Sequence, residues 1–276
     1  METNLDAKLQ RLYEQIDSLG QVAVAFSGGV DSSYLLAVCV DRLGSERVMA
    51  VTVDSPLLPR QELETARQVA QQLGARHQVV AFDELEDAVI ATNPPDRCYH
   101  CKRARFEGLL ALARETNGAF TLLHGENADD KDDYRPGARA AAELGVRAPL
   151  ADAGLTKAEI RAASRERGLP TWDHPAAACL ATRFPYGVAL TREGLARVEA
   201  AESALHELLS VRGLRVRDHY PVARIELPED QIADLTVEPL RGAVHRALQQ
   251  VGYHYVTVDL AGYRMGSMND ELESDD

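Results

Sequence analysis

A doubly wound parallel α/β sheet with a second, smaller α+β domain is the fold that the sequence predicts. In the first half of the chain, short apolar segments alternate with amphipathic helical segments, which is the pattern of parallel strands covered by helices on both faces. The chain has 276 residues, more than a single domain usually contains. Hydrophobic residues make up 45% of it, enough to form a core without disulfide bonds.

Four strands are predicted in the first half. A helix precedes them, with leucine and isoleucine residues at spacings of three and four, and Gly20 is its expected end. Strands are predicted at residues 21–26, 47–53, 77–82 and 120–125, and helices at 31–43, 59–74 and 99–116. Because ligands of open parallel sheets bind beyond the carboxyl ends of the strands, we expect the functional site at that edge.

The domain boundary is expected near residue 170. Residues 1–170 form the first predicted domain, whose last helix begins at a capping box, T-K-A-E, from Thr156 to Glu159. A proline-rich linker, 171–190, carries Cys179, and the acidic tail, 269–276, is expected to be disordered. The α+β domain, 191–268, has predicted helices at 192–210, near 229–235 and near 239–250, and predicted strands at 215–220, 223–228 and 253–260.

Composition argues against several classes of protein. The formal net charge of −13, from 43 acidic and 30 basic residues, disfavours binding to nucleic acid. No segment approaches the roughly 18 apolar residues of a membrane span, and the first residues lack the apolar core of a signal peptide. We therefore expect a cytoplasmic protein without a membrane partner, in which clustered cysteines serve metal binding or catalysis.

A phosphate-binding loop is predicted between the first strand and the following helix. Its sequence at residues 27–33 is SGGVDSS. Small residues let backbone N–H groups approach a pyrophosphate, and the helix N-terminus adds the positive end of its dipole. The loop is not a Walker A motif. It resembles the PP-loop of ATP pyrophosphatases, which implies an adenine nucleotide alpha hydrolase-like fold. The residues expected to bind ATP are Ser27, Gly28, Gly29, Asp31, Ser32 and Ser33, and a tight turn without a ligand is the alternative.

A second loop, HGENADD at residues 124–130, follows the fourth predicted strand. In an open parallel sheet it lies at the same edge as the PP-loop, so Gly125 and Asp129 are expected beside ATP. Asp130 is a candidate ligand for Mg²⁺ on the phosphates. An acidic surface loop is the alternative, and Arg135, in the DYRPG segment that follows, could face either phosphate or solvent.

Three of the four cysteines are candidates for a metal centre. Cys98 and Cys101 form a C-x-x-C pair near the start of a predicted helix, and Cys179 lies in the linker. Three thiolates suit an iron–sulfur cluster with one open iron, or an incomplete zinc site. A redox pair is a further alternative. His100 is expected at the surface more than as a fourth ligand, and Cys39 is expected in the core.

Charged residues of the second half indicate two further sites. Arg215 and Arg217 are two apart on a predicted strand, so both guanidinium groups point to one face and could clamp a phosphate. Glu226, Glu229 and Asp234 could converge on a divalent metal. A solvated strand face and helix capping are the respective alternatives, and Arg224 could simply pair with Glu226.

Several longer segments resemble the LarE family, the sulfur transferases that help to build the nickel-pincer cofactor of lactate racemase. The most specific of them are NPPDRCYHCKR, CLATRFPYG, RVRDHYPVARIELPE and YVTVDLAGYRMGSMND. The resemblance implies that ATP adenylates a carboxylate of a pyridinium-3,5-biscarboxylate mononucleotide, and that sulfur then replaces AMP to leave a thiocarboxylate. It also implies a homo-oligomer.

The family has two forms, and this sequence resembles the second. In the first form, a single cysteine matching Cys179 gives up its own sulfur. In the second, cysteines matching Cys98, Cys101 and Cys179 hold a [4Fe–4S] cluster whose open iron carries an extra sulfide. This sulfur comes from free sulfide or from a sulfur donor protein. The resemblance further implies that Arg215 and Arg217 bind the substrate phosphate and that the three acidic residues named above bind a metal.

Adenylation turns a carboxylate oxygen into a good leaving group, with Mg²⁺ and the loop amides stabilising the departing pyrophosphate. Asp31 of the loop is the expected catalytic acidic residue. Lys102 and Arg183, each near a cysteine in the sequence, could neutralise charge in the transition state or be surface cations.

Three other functions remain open from the sequence. They are a tRNA-thiolating enzyme, a PP-loop amide ligase whose cysteines hold a structural metal, and a nucleotide-binding sensor without catalytic activity. The negative net charge argues against the first.

Overall fold

The computed structural model of the chain describes residues 2–115, 120–131, 136–175, 178–211, 213–264 and 266–267. The chain divides into two units, which are Met1–Glu84 with Pro95–Ala177, and Leu85–Pro94 with Ala178–Asp276. The predicted linker is thus shared between the units, and a short segment before the C-x-x-C pair belongs to the second unit. Arg135 and the predicted acidic tail lie outside the described residues.

The first unit contains a four-stranded parallel sheet. Its strands are β1 (Gln21–Ala25), β2 (Val48–Asp54), β3 (Arg76–Ala81) and β4 (Phe120–His124), in the spatial order β3-β2-β1-β4. Each neighbouring pair is parallel. Because β2 and β4 lie on opposite sides of β1, the strand order reverses between β1 and β4, and a ligand crevice is expected at that point. The predicted parallel α/β sheet is confirmed.

The α-helices are, in chain order, α1 (Glu2–Asp17), α2 (Val30–Leu43), α3 (Arg60–Gln72), α4 (Ala88–Ala91), α5 (Arg97–Glu115), α6 (Pro136–Glu143), α7 (Pro149–Asp152), α8 (Lys157–Glu166), α9 (Arg192–Leu208) and α10 (Leu240–Gln250). Within the part of the chain that is described, no helix is both long enough and apolar enough to cross a membrane. The capping box is present at the start of α8, where Glu159 N donates to Thr156 Oγ1 and Thr156 N donates to Glu159 Oε2.

Helices cover both faces of the parallel sheet. Along β1, Val22 and Val24 belong to a core cluster shared with α1, α2, α3 and α8, whereas Ala23 belongs to a cluster shared with α5 and α6. Successive side chains of a strand point to opposite faces, so both faces of β1 are buried. This explains why β1 is an apolar run instead of an alternating pattern. Cys39 is fully buried in the first cluster, as predicted.

The second unit is the predicted small α+β fold. Its sheet has the order β5 (Arg215–His219), β6 (Val222–Glu226) and β7 (Tyr255–Val258), with β5–β6 antiparallel and β6–β7 parallel. Leu205 of α9 and Leu248 of α10 join Val216 and Ile225 in its core.

One predicted helix of the second unit is absent from the described residues. The helix expected near 229–235 is replaced by two 3₁₀ turns, Glu229–Gln231 and Ala233–Thr236. The segment is short and bounded by Pro228 and Pro239, so it gains too few hydrogen bonds to offset α-helix nucleation.

Candidate functional site

The PP-loop connects β1 to α2 at the carboxyl edge of the parallel sheet. Gly28 has a φ of +76°, and a Cβ at this position would lie 2.9 Å from Ala66 Cα, so the loop requires glycine there. Ser32 Oγ accepts a hydrogen bond from Ser27 N at 3.3 Å and donates to Gly29 O at 3.2 Å. The Ser32 hydroxyl therefore closes the loop on itself and holds its backbone in shape.

Ser33 is the last serine of the PP-loop, and its predicted contact with ATP stays a prediction. It is fully buried, and its Oγ has no hydrogen-bond partner among the described residues. Successive side chains of an α-helix point about 100° apart, so the hydroxyls of Ser32 and Ser33 point in different directions. Its backbone N–H donates to Gly29 O at 2.9 Å, which begins the helix.

A lysine that the sequence argument overlooked reaches the PP-loop. Lys157 Nζ lies 2.6 Å from Asp31 Oδ2, and the backbone N of Lys157 donates to Asp129 Oδ2 at 2.8 Å. Burial raises the pKa of Asp31, and the Lys157 ammonium opposes this shift. Lys157 is the first residue of α8, where its charge opposes the helix dipole. That unfavourable placement was the available signal that this lysine pairs with an acid elsewhere.

The loop after β4 lies against the PP-loop. A Cβ at Gly125 would lie 2.8 Å from Ser32 N, so a side chain there would collide with the start of α2. Asn127 holds the loop in place, because Asn127 Oδ1 accepts from Asp129 N at 3.0 Å and Asn127 N donates to Asp130 Oδ2 at 3.1 Å. The Asp130 charge also raises the pKa of Asp31, so these carboxylates share one region of negative potential.

Lys102 belongs to the same edge of the sheet. His124, at the end of β4, is buried, and burial together with the positive charge of Lys102 lowers its pKa to about 4. The imidazole is therefore neutral at pH 7. A Cβ at Gly137, in the DYRPG segment, would overlap the Lys102 side chain. Glycine at this position leaves room for the lysine stem to lie against α6.

The C-x-x-C pair occupies the first turns of α5. Cys98 is exposed and Cys101 is buried. Arg97 Nη2 donates to Cys98 Sγ at 3.4 Å. Cys101 Sγ lies 4.0 Å from Oε1 of the fully buried Glu84, which is ion-paired with Arg105.

Within the regions that the structure describes, no three His, Cys, Asp or Glu side chains form a ready-made metal site. Cys98 and Cys101 belong to the first unit, and Cys179 belongs to the second. His100 Nε2 lies 3.1 Å from Asp96 Oδ2, so the surface interpretation of this histidine agrees with its contacts. The C-x-x-C pair supplies two sulfur donors in the first two turns of α5, one of them exposed, and sulfur is the donor type that iron–sulfur clusters take.

Arg183 is buried, which excludes the surface-cation alternative for this residue. Its side chain is 3% exposed and forms a two-bonded ion pair with Glu202 of α9, at 2.9 Å for each bond. Arg183 Nη1 also donates to the carbonyl of Cys179 at 3.1 Å. Sequence reasoning missed Glu202, although an acid on the apolar stripe of α9, between Val198 and Leu205, is a signal of a buried ion pair.

The two arginines of β5 have different environments. Arg217 is buried, with Nη2 at 2.6 Å from Glu226 Oε2 and Nη1 donating to Thr182 O at 2.5 Å. Arg215 is half-buried, and its guanidinium lies 5.2 Å from the centre of the Tyr263 ring. Burial and the neighbouring Arg183 charge lower the pKa of Arg215. Since a carboxylate already neutralises Arg217, Arg215 is the better candidate for a substrate phosphate.

The predicted metal-binding acids do not form one ligand set in the described chain. Glu226 is fully buried and paired with both Arg217 and Arg224, whose Nη2 lies 3.3 Å from Glu226 Oε1. Glu229 and Asp234 are exposed on successive 3₁₀ turns. A buried carboxylate must be compensated by cations, and Glu226 is compensated by arginines, which contradicts the expected convergence. The expected pairing of Arg224 with Glu226 is present.

Comparison with known proteins adds relatives that span nearly the whole chain. The NAD synthase family model matches residues 5–114. A pyridinium-3,5-bisthiocarboxylic acid mononucleotide synthase of Lactiplantibacillus plantarum is 41% identical over 97% of this chain and 96% of the relative. An uncharacterised protein of Synechocystis sp. is 42% identical over 96% of this chain and 98% of the relative. An uncharacterised protein of Methanocaldococcus jannaschii is 29% identical over 88% of this chain and 91% of the relative.

The match to the Lactiplantibacillus enzyme extends through both units of the chain and includes the PP-loop and the region that carries Cys179. The observed fold is consistent with this match, because the strand order of the parallel sheet reverses beside the PP-loop. On this identity and coverage, the chain belongs to the LarE family of PP-loop enzymes.

Proposed function

We propose that the protein is an ATP-dependent sulfur transferase that converts carboxylates of a pyridinium-3,5-biscarboxylate mononucleotide into thiocarboxylates. The observation that carries the proposal is a hydrogen-bonded assembly in the second unit. Arg183 binds the carbonyl of Cys179, and Glu202 binds both Arg183 and the backbone N–H of Val216, between the two arginines of β5. A thiol-bearing segment and a candidate phosphate site are thereby joined. The substrate is taken from the name of the Lactiplantibacillus relative.

The first step takes place at the PP-loop. A substrate carboxylate oxygen attacks the α-phosphorus of ATP, the bond from that phosphorus to the oxygen bridging the β-phosphate breaks, and pyrophosphate leaves with the electron pair. Loop amides and Lys157 stabilise the negative charge of the departing pyrophosphate, and Asp31 orients the lysine. Asp129 and Asp130 would hold Mg²⁺ with the phosphates and water as its other ligands.

The second step is substitution at the acyl carbon. Sulfide attacks this carbon, the bond to the AMP oxygen breaks, and AMP leaves a thiocarboxylate behind. Cys98, Cys101 and Cys179 would hold a [4Fe–4S] cluster, which when bound supplies sulfur in a deprotonated form. The exposure of Cys98 in the first turn of α5 supports metal ligation there. Lys102 is a candidate to neutralise the charge that develops on the acyl oxygen.

The proposal includes a cytoplasmic location, a homo-oligomeric state and a role in lactate racemase maturation, with sulfide or a sulfur donor protein as the source of sulfur. These features follow from the family resemblance.

The direct test is a reaction under anaerobic conditions with ATP, Mg²⁺, sulfide and the biscarboxylate mononucleotide. We expect AMP, pyrophosphate and a product in which sulfur has replaced oxygen, detected by mass spectrometry. Thiolated nucleosides formed on bulk tRNA without thiolation of the mononucleotide would contradict the proposal in favour of a tRNA-modifying enzyme. An amide product formed with ammonia would favour an amide ligase.

Arg215→Ala is expected to raise the KM for the mononucleotide about 10- to 150-fold, the loss of one charge-assisted contact, with little change in the KM for ATP. Arg241→Ala is the matched control, since it removes an exposed arginine of the same unit that pairs with Glu238. Steady-state kinetics with each substrate varied in turn provide the measurement. Weaker ATP binding with a normal mononucleotide KM would show that Arg215 serves a different ligand.

Arg217→Ala is a less informative variant. Removing this arginine leaves the buried Glu226 without one of its two compensating cations. Breaking a buried ion pair costs about 3–5 kcal/mol, so a lower Tm is expected whatever the substrate.

A further inference from the structure

Arg183 and Glu202 form a buried, doubly hydrogen-bonded ion pair in the second unit. Arg183 Nε and Nη2 donate to the two carboxylate oxygens of Glu202, each at 2.9 Å. Both residues are buried, at 3% and 9% exposure. A buried ion pair adds little net stability compared with apolar side chains of similar volume. Its contribution is therefore better sought in the geometry that it imposes.

The remaining nitrogen of Arg183 holds the backbone around Cys179. Arg183 Nη1 donates to Ala178 O at 3.0 Å, to Cys179 O at 3.1 Å and to Thr182 Oγ1 at 2.8 Å. The first two carbonyls belong to the peptide groups on either side of the Cys179 α-carbon. With both peptide planes held, rotation about χ1 is the main freedom left to the Cys179 thiol.

The same carboxylate also holds β5. Glu202 Oε1 accepts a hydrogen bond from Val216 N at 3.0 Å, and Val216 lies between Arg215 and Arg217. Arg217 Nη1 adds a second connection through Thr182 O at 2.5 Å. A planar guanidinium that forms two hydrogen bonds to one carboxylate restricts the relative motion of the two side chains. The Cys179 backbone and the β5 backbone are thus fixed to one another through Glu202.

We propose that Glu202 and Arg183 are positioning residues that set the distance between the Cys179 thiol and Arg215, the phosphate-binding arginine of β5. This distance places the sulfur where it can attack the acyl carbon of the adenylate. This inference rests on the proposed function. When the spacing is lost, water instead of sulfur attacks the acyl carbon, which returns the carboxylate and releases AMP. The signature is uncoupling, in which AMP is formed without an equivalent amount of thiocarboxylate.

The test compares Glu202→Gln with Glu207→Gln in full-length, cluster-reconstituted protein supplied with ATP, Mg²⁺, mononucleotide and sulfide. Glutamine keeps the shape of Glu202 but removes its charge and one acceptor, and Glu207 is an exposed acid of the same helix. The ratio of AMP to thiocarboxylate is expected to rise on the order of 10- to 100-fold in Glu202→Gln, as expected for small misplacements of reacting groups. Glu207→Gln is expected to keep the wild-type ratio.

A second readout does not depend on the cluster. In metal-free protein, the rate of iodoacetamide alkylation of Cys179, followed by peptide mass spectrometry, is expected to rise in Glu202→Gln and to stay unchanged in Glu207→Gln. Arg183→Lys keeps a positive charge but loses the two parallel hydrogen bonds to Glu202, so it is expected to behave like Glu202→Gln. If Glu202→Gln does not fold, Arg183→Lys tests the positioning role in its place.

Proportional losses of AMP and thiocarboxylate at an unchanged ratio, with an unchanged alkylation rate, would overturn the positioning role and leave a purely structural ion pair. A wild-type protein that forms neither product on the mononucleotide would instead contradict the proposed function itself, and the positioning role with it.

Discussion

Replacing Cys179 with alanine is expected to abolish thiocarboxylate formation while ATP-dependent AMP release on the mononucleotide continues. The residues proposed for adenylation, which include Asp31 and Lys157, belong to the first unit, whereas Cys179 belongs to the second. Loss of the thiol removes either a cluster ligand or the sulfur itself. Both AMP and the thiolated product are measured by mass spectrometry in the same reaction.

The fate of Cys179 in the wild-type protein separates the two mechanisms of sulfur supply. If three thiolates hold a cluster, Cys98→Ala and Cys101→Ala are expected to lose both the cluster and the thiolation, and wild-type protein purified without oxygen is expected to contain about four irons per chain. A mass loss of about 34 Da at Cys179 after turnover, the departure of H₂S to leave dehydroalanine, with activity retained in Cys98→Ala, would restore the sacrificial mechanism.

Cys39→Ala is the matched control for these cysteine variants. Cys39 is fully buried on α2, and burial raises the pKa of its thiol to about 12. A thiol in this state is neither nucleophilic nor a ready metal ligand. Cys39→Ala is therefore expected to keep iron binding and thiolation, with a modest loss of stability from the smaller side chain.

Lys157→Met is expected to lower the rate of AMP and pyrophosphate formation about 10²- to 10³-fold, the typical effect of removing one group that stabilises transition-state charge. The Nζ atom lies 2.6 Å from Asp31 Oδ2, at the PP-loop. Asp31→Ala is expected to cause a comparable loss. The two substitutions together are expected to cost less than the sum of their separate free energies, because they disrupt one interacting pair. Pyrophosphate release provides the measurement.

Lys8→Met is the control, because it removes a different lysine ion pair that α8 forms. Lys8 lies on α1, and its partner Glu159 lies on α8. Lys8 Nζ lies 2.7 Å from Glu159 Oε1 in α8, away from the PP-loop contact. Its replacement is expected to leave the rate of AMP formation within a few-fold of wild type. Equal losses in Lys8→Met and Lys157→Met would indicate that α8 is merely destabilised, and would remove Lys157 from the chemistry.

Local sequence patterns determined the fold class and the positions of most of its elements. The parallel sheet followed from apolar segments bounded by turn residues, and the α8 start followed from the T-K-A-E capping box. The PP-loop and its place before α2 were readable for the same reason, because small residues at a strand–helix turn act through their own backbone. Cys39 was placed in the core correctly from helical periodicity.

The sequence by itself therefore determined most of the strands and longer helices, where the phosphate loop lies and to which family the chain belongs. Only the tertiary structure decided which charges meet. Lys157 forms an ion pair with Asp31 within the first unit, and Glu202 forms one with Arg183. Glu226 neutralises Arg217 instead of joining Glu229 and Asp234. The physical reason is that secondary structure depends on neighbours along the chain, whereas a buried charge is satisfied by whichever partner folding brings within hydrogen-bonding distance.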